Sequence, residues 1–320
     1  MEPENLIRTI PEELSPISTF RAHTDSVDFI KLHTKSSSPF LVSASHDKSL
    51  KIWDIQNQSC LSTLQGHTQG VFCCDVNSSG LIASCSPDET VRIWDSKTSR
   101  EVSRGLGHSY KIYFVLFIDD NQIVSCGRDH KILQWDTKKM NSPVRRIGDD
   151  SSGTFRSLAY KNNTLIASTA ESTIEAYTYS SGQPQFKQSI EFDSNVFDEE
   201  KVIIGDPSII YTIKFMQNEE ILTGHQDMAI RKFHKVGSGL EQNMLRRCHF
   251  DFVRHIELFP DESKMITTCQ DGSGRIWENF RPKYSLTGHS QIASCACITP
   301  DSSRAFISSY DQSISIFSLA

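Results

Sequence analysis

The sequence predicts an all-β fold built from seven similar units, and three observations predict it. All four tryptophans fall at the same place in a repeated ending: Leu50-Lys51-Ile52-Trp53-Asp54, Val91-Arg92-Ile93-Trp94-Asp95, Ile132-Leu133-Gln134-Trp135-Asp136 and Gly274-Arg275-Ile276-Trp277-Glu278. An aspartate lies six residues before each, at Asp47, Asp88, Asp129 and Asp271, and a histidine opens each unit, at His23, His67, His108 and His249. The aromatic position then recurs beyond the tryptophans, as Tyr177, Phe233 and Phe317, giving successive spacings of 41, 41, 42, 56, 44 and 40 residues. Tyr177 follows Glu171 at the same offset, while Phe233 and Phe317 follow Asp227 and Asp311. Self-similarity with a period of roughly 40–45 residues is the mark of a β-propeller of four-stranded blades, here seven of them.

Within a unit, a turn that is often Gly-His leads into short strands with alternating apolar residues. The first unit shows them as Ile30 and Leu32, then Leu41-Val42-Ser43-Ala44, then Leu50 and Ile52. Blades are expected to begin near residues 20, 64, 105, 147, 208, 246 and 286. The last unit ends at Ile314-Ser315-Ile316-Phe317-Ser318-Leu319, one strand short. The extended segment Ser15-Pro16-Ile17-Ser18-Thr19-Phe20 is expected to supply the missing outer strand, so that an N-terminal strand completes the last blade and closes the ring. Closure removes exposed strand edges. Residues 1–12 read as a flexible tail and 13–320 as one propeller, interrupted by an acidic insertion at about 180–207. That stretch holds Glu191, Asp193, Asp198, Glu199 and Glu200 around Phe192, Val196 and Phe197. Long insertions between repeats map to loops on one face, often a binding face.

These motifs resemble the WD-repeat family over nearly the whole chain. The resemblance implies one hydrogen-bonded chain of His, Ser or Thr, Asp and Trp in each intact blade. The matching sets are His23, Ser43, Asp47, Trp53; His67, Ser84, Asp88, Trp94; His108, Ser125, Asp129, Trp135; and His249, Thr267, Asp271, Trp277. An indole nitrogen only donates and a carboxylate only accepts, so such a chain satisfies groups that are costly to bury alone. A Ser-His-Asp trio invites a catalytic reading. These trios recur blade after blade, whereas a nucleophile is needed once, and they are read as structural.

Composition sets further bounds. A net charge of −6 and a pI near 6.0 leave no global basic footprint for nucleic acid. The densest basic cluster, Lys138, Lys139, Arg145 and Arg146, falls in what reads as a solvated linker after the third blade. No apolar run approaches the roughly 20 residues of a membrane span, and the acidic N-terminus does not read as a signal peptide. The nine cysteines are odd in number and scattered, and Cys295-Ala296-Cys297 lacks a second pair at metal-ligand spacing. No phosphate-cradling loop, HExxH, GxSxG or calcium-loop spacing occurs. No catalytic residue, cofactor or metal is expected. The location expected is the cytoplasm, with the nucleus as the alternative.

Surface recognition remains. In a propeller, the residue before each blade Asp and the residue three after each blade His share one rim around the central channel. The first set is His46, Pro87, Arg128, Gln226, Gln270 and Tyr310, and the second is Ser26, Gly70, Lys111, Phe252 and Ile292. Blades 6 and 7 therefore offer Phe252, Ile292 and Tyr310 beside Phe250, and blade 3 offers Lys111 and Arg128 beside Tyr110 and His130. Aromatics and Arg are enriched at interface hot spots. Phe252, Ile292, Tyr310, Arg128, Lys111 and His46 are the candidate partner surface. The function expected is a non-catalytic protein–protein interaction scaffold or adaptor, a monomeric ring inside a larger complex, with proteins or peptides as partners and neither membrane nor nucleic acid. Two alternatives stand beside it. The segment from Ile82 to Lys97 looks similar to the box by which substrate receptors dock on cullin-type ubiquitin ligases. The turns at Ser45-His46-Asp47-Lys48 and Gly127-Arg128-Asp129-His130 resemble those of ribosome-associated signalling scaffolds.

Overall fold

Continuous apolar runs such as Leu41-Val42-Ser43-Ala44 need cover on both faces of the strand that carries them. The computed structural model, which describes residues 11–35, 38–147, 153–178, 184–189, 209–237, 239–247 and 249–319, supplies that cover by stacking seven sheets face to face. Each sheet is an antiparallel meander of four strands, with one exception described below. In the first blade the order is Val27–His33, Phe40–Ser45, Ser49–Asp54, Ser59–Gln65. The inner strands of the next six are Cys73–Val76, Ile112–Phe117, Phe155–Lys161, Ile210–Phe215, Val253–Leu258 and Ala293–Ile298. Each inner strand packs on the next, and the seventh packs on the first, so the ring is closed.

The core is divided among the seams between blades, as expected for repeats that contact only their neighbours. Val42, Ala44, Leu50 and Ile52 of the first blade meet Cys74, Ile82 and Trp94 of the second. Ile314, Ile316 and Cys297 of the seventh meet Ile30, Leu41 and Trp53 of the first. The last blade is completed by Ser18–Arg21, which pairs antiparallel with Ser313–Ser318 and places Phe20 5.1 Å from the Trp53 ring. Closure thus brings an aromatic to the first seam as well as hydrogen bonds to the last edge.

Three local expectations are corrected. The end of the expected tail is not loose: from Glu12, the strand Glu12–Leu14 runs parallel to Arg281–Leu286 and gives the sixth blade a fifth strand. The chain satisfies these backbone groups on a neighbouring edge before it turns into the seventh blade. Arg145–Ile147 is the outer strand of the third blade, not a linker, and buried Ile147 anchors it opposite Ile132. Pro184–Ser189, inside the stretch read as an insertion, is the outer strand of the fourth blade. The acidic part of that stretch lies outside the described residues, as do residues 1–10.

A register shift falls at the same place in six inner strands, after Val27, Ile112, Phe155, Ile210, Val253 and Ala293. Such a bulge inserts one unpaired residue and re-aims its side chain. Here the extra residues are Asp28, Tyr113, Arg156, Tyr211, Arg254 and Ser294.

Candidate functional site

Within the first three blades the repeated polar residues form relays whose direction can be deduced. In the second, Trp94 Nε1 donates to Ser84 Oγ at 2.9 Å, Ser84 Oγ lies 2.8 Å from His67 Nε2, and His67 Nδ1 lies 2.8 Å from Asp88 Oδ2. The carboxylate only accepts, so Nδ1 carries the proton and Nε2 accepts from the serine hydroxyl. Ser84 thus passes its own proton on and takes that of the indole. Asp88 Oδ2 also accepts the Thr68 N–H, and its Oδ1 accepts from the N–H and hydroxyl of Thr90. Burial would raise the Asp88 carboxyl, but the bonds from His67 and Thr90 outweigh it and hold the group well below the usual range. Burial lowers His67. Both directions describe a neutral imidazole donating to a carboxylate. His23, Ser43, Asp47 and Trp53 repeat the arrangement, with His23 at 2.6 Å from Ser43 and 2.8 Å from Asp47. So do His108, Ser125, Asp129 and Trp135.

The other blades depart from it. In the sixth, Trp277 and His249 both reach Thr267, at 2.9 and 2.7 Å, but His249 Nδ1 is 3.8 Å from Asp271 and has no hydrogen-bond partner. The expected four-membered chain is therefore broken at its last link. In the seventh, which sequence reading did not credit with a set, His289 Nδ1 bonds Asp311 at 2.9 Å. Ile307 and Phe317 stand where serine and tryptophan would, so His289 Nε2 is left without a partner. In the fifth, Asp227 turns to Arg231, and His225 bonds Thr223 at 2.6 Å from within the second strand. In the fourth, Glu171 keeps one role, accepting the Thr154 N–H at 2.9 Å. The Ser-His-Asp sets of the first three blades are thus engaged in holding their own blades, and in the sixth His249 and Asp271 are each held by separate bonds, to Thr267 and from Ser273.

Among the described residues, His249, Cys269 and Asp271 gather three potential metal-ligand atoms within 4.8 Å of one another. Burial pushes the Cys269 thiol up, and its sulfur accepts the Asp271 N–H at 3.4 Å. Ser45 and Ser86 accept the same bond in the first and second blades. Cys269 is thus a turn residue in a structural role.

The rim residues come together in pairs. The N–H before the blade Asp donates to the carbonyl three residues after the blade His: His46 to Ser26 at 2.9 Å, Arg128 to Lys111 at 2.8 Å, Gln270 to Phe252 at 2.9 Å and Tyr310 to Ile292 at 2.9 Å. Gly127 permits this approach in the third blade, since a Cβ there would stand 2.3 Å from the Lys111 carbonyl oxygen. Lys111 and Arg128 are exposed, as is Tyr110 at 60%, and Phe250 is 86% exposed beside Arg275. Phe252, Ile292, Tyr310 and His46 are only half-buried. Tyr310 is not free, because its hydroxyl donates to Asp28 at 3.0 Å and burial beside that carboxylate pushes it up to about 12.

Inside this rim lies a second ring, which sequence reading missed, formed by the bulge residues Asp28, Tyr113, Arg156, Tyr211 and Arg254 together with Phe72, Tyr310 and His46. Their rings and guanidinium groups stack in cyclic order. Phe72 stacks on Tyr113 at 5.9 Å, and Arg156 lies over Tyr113 at 4.3 Å and over Tyr211 at 5.9 Å. Arg254 lies over Tyr211 at 4.7 Å and over Tyr310 at 5.9 Å. His46 then closes the circle, 6.0 Å from Tyr310 and 5.5 Å from Phe72, with Nε2 3.1 Å from Asp28. One residue deeper, Phe29 of the first blade touches Phe114 of the third at 5.8 Å and His255 of the sixth at 5.5 Å. Contacts between non-adjacent blades can only be made across the axis. These rings therefore block the channel at its waist, and burial holds His255 well below its ordinary range. Deeper still the charges balance, Lys31 with Asp75 at 3.0 Å and Lys214 with Glu257 at 2.8 Å.

The family model described as WD domain, G-beta repeat, matches residues 14–54, 58–95, 100–136 and 280–318. The unmatched middle holds the fourth and fifth blades, whose polar sets have diverged, and the first three strands of the sixth, whose relay is broken at its last link. Short stretches are similar to coatomer subunit beta'-1 of Arabidopsis thaliana, 39% identical over 56 residues, and to nuclear distribution protein PAC1 of Arthroderma otae, 49% over 65. A third is similar to an F-box protein of Saccharomyces cerevisiae, 47% over 49 residues. These matches cover 18%, 18% and 15% of this chain and only 6%, 14% and 7% of the respective relatives.

Proposed function

We propose that this chain, a member of the WD-repeat β-propeller family, is a non-catalytic scaffold or adaptor that holds other proteins within a multiprotein complex and receives them on the channel rim. The observation that carries this reading is the uneven rim. One repeated backbone bond presents Phe252, Ile292 and Tyr310 from the sixth and seventh blades, His46 from the first, and Lys111 with Arg128 from the third. The Ser-His-Asp trios of the first three blades are engaged in their own blades, and in the sixth the His-Asp link a catalytic trio would need is open at 3.8 Å. The propeller fold is typically non-catalytic, though fold alone does not decide function. Relatives named as a coatomer subunit and as an F-box protein support a place inside a larger assembly, in the cytoplasm or the nucleus.

The test is affinity capture with a rim variant, Lys111→Glu, Arg128→Glu and Phe252→Ala together. Truncating an interface hot spot costs about 2 kcal/mol or more, roughly thirtyfold in affinity. Partners should be lost while the thermal melt stays close to wild type. Full retention would reject the rim in favour of the acidic stretch around Phe192 and Phe197. A second reading, substrate receptor of a cullin-type ubiquitin ligase, is favoured by the similarity to an F-box protein and by the segment from Ile82 to Lys97. Recovery of a cullin would support it, and recovery of ribosomal subunits would support the ribosome-associated alternative.

A further inference from the structure

The channel mouth displays hydrogen-bond donors in excess of acceptors. Arg156 and Arg254 lie against the same Tyr211 ring, at 5.9 and 4.7 Å. Among the described residues neither guanidinium has a carboxylate within ion-pair distance, and Arg156 Nε is buried without a hydrogen-bond partner. The hydroxyls of Tyr113 and Tyr211 likewise have no partner among the described residues. Among the described residues the one carboxylate at this level is Asp28: its Oδ1 accepts from the Tyr310 hydroxyl, its Oδ2 stands 3.1 Å from His46 Nε2 without a hydrogen bond, and Arg254 Nη2 reaches the Tyr310 hydroxyl at 3.2 Å, so each guanidinium keeps donors to spare. The rim carboxylates Asp25 and Asp251 accept from their own turns, at Ser26 N–H and Phe252 N–H. Two cations held on either side of one phenol repel each other, and tyrosine faces hold both groups in place at little entropic cost. The complement of two guanidinium groups and two phenols is a group that only accepts.

Taking the rim as the partner face, we infer that the mouth receives an acidic side chain, Asp or Glu, from an extended segment of a partner protein, with its carboxylate between Arg156 and Arg254. A guanidinium binds a carboxylate through paired N–H bonds, shorter and stronger than neutral ones. Phe29, Phe114 and His255 form the floor, so the ligand stops at the mouth and does not thread the ring. Depth then suits one side chain, while the segment carrying it lies across Lys111, Arg128 and Phe252. The site is local: the chain as a whole is acidic, with a net charge of −6, so bulk charge does not draw an acidic segment there.

The test is selection of a random displayed peptide library on the full chain and on Arg156→Gln/Arg254→Gln. Wild type should enrich peptides sharing one acidic position, and the variant should not. For one enriched peptide, fluorescence anisotropy should show at least tenfold weaker binding when its acidic residue becomes the amide. Tyr211→Phe, which keeps the ring and removes the hydroxyl, should weaken it severalfold and serves as the folded control if the double variant fails to fold. Enrichment without a shared acid, equal enrichment on the variant, or no enrichment at all would overturn the assignment. If peptides are enriched that ignore Arg156 and Arg254 but are lost on Lys111→Glu/Phe252→Ala, the rim reading stands and only this assignment fails.

Discussion

Replacing Ser84 by alanine tests the deduced direction of the second-blade relay. Ser84 is fully buried, and its single oxygen both accepts from Trp94 and donates to His67. The alanine variant loses little volume but leaves two groups unmatched, an indole N–H and an imidazole lone pair. Each unsatisfied buried group costs about 1–3 kcal/mol, so the loss should lie at roughly 2–6 kcal/mol. Trp94→Phe removes the donor, and combined with Ser84→Ala it leaves only the His67 nitrogen orphaned. The seventh blade already lives with that state, since Ile307 and Phe317 leave His289 Nε2 without a partner. The double variant should therefore be destabilised by less than the sum of the singles, by about 1–3 kcal/mol, as groups in one network are not additive. The assay is urea unfolding followed by tryptophan fluorescence, with circular dichroism to check that both probes report one transition. A Ser84→Ala loss below about 1 kcal/mol, or strict additivity in the cycle, would refute a relay running from indole to carboxylate.

Deleting residues 1–21 should expose the edge of Ser313–Ser318 and uncover Trp53, giving oligomers in light scattering, whereas deleting 1–10 should leave a monomer with an unchanged melt. Stability should fall on acidification in two stages. His67, His225, His249 and His255 all have folded values below 6.5, so their contribution is complete above that pH and is lost as pH falls below it. Asp47, Asp88, Asp271 and Asp311 are also depressed, and add a second loss below the ordinary carboxylate range, roughly pH 4. For His225, which burial holds at about 3, substitution by Gln should flatten the slope between pH 6.5 and 3 by an amount on the order of a few kcal/mol; an unchanged slope in urea titrations would contradict its neutrality. Phe250→Ala should alter stability by no more than about 0.5 kcal/mol, because the side chain is 86% exposed, and a larger loss in thermal melts would show that its contact with Arg275 matters.

The ring and its seven units were legible because Trp53, Trp94, Trp135 and Trp277 sit in register, and the decayed aromatics keep that register. The rim was legible by counting three residues past each histidine. Two residues further on, the same count reaches Asp28, Phe72, Tyr113 and Arg254, which belong to the mouth. The count fails for Arg156 and Tyr211, whose blades have no opening histidine, and nothing in one sequence signals that a bulge turns these side chains to the axis. Glu12–Leu14 escaped notice because three residues paired parallel to a distant strand leave no periodic trace. Arg145–Ile147 did so because one buried isoleucine carries the whole strand. The broken link in the sixth blade is a matter of distance, 3.8 Å against 2.8 Å in the second, and residue types cannot reveal it.

Docking at the rim is tested most directly by site-specific photo-crosslinking in cells that produce the chain. A photoreactive residue at Phe250 stands on the rim, and one at Leu61, 61% exposed on the outer strand Ser59–Gln65, stands on the flank. Covalent partner adducts from position 250 and none from position 61 are the predicted result. Adducts from position 61 alone would place the partner on the blade edges and contradict recognition at the channel mouth.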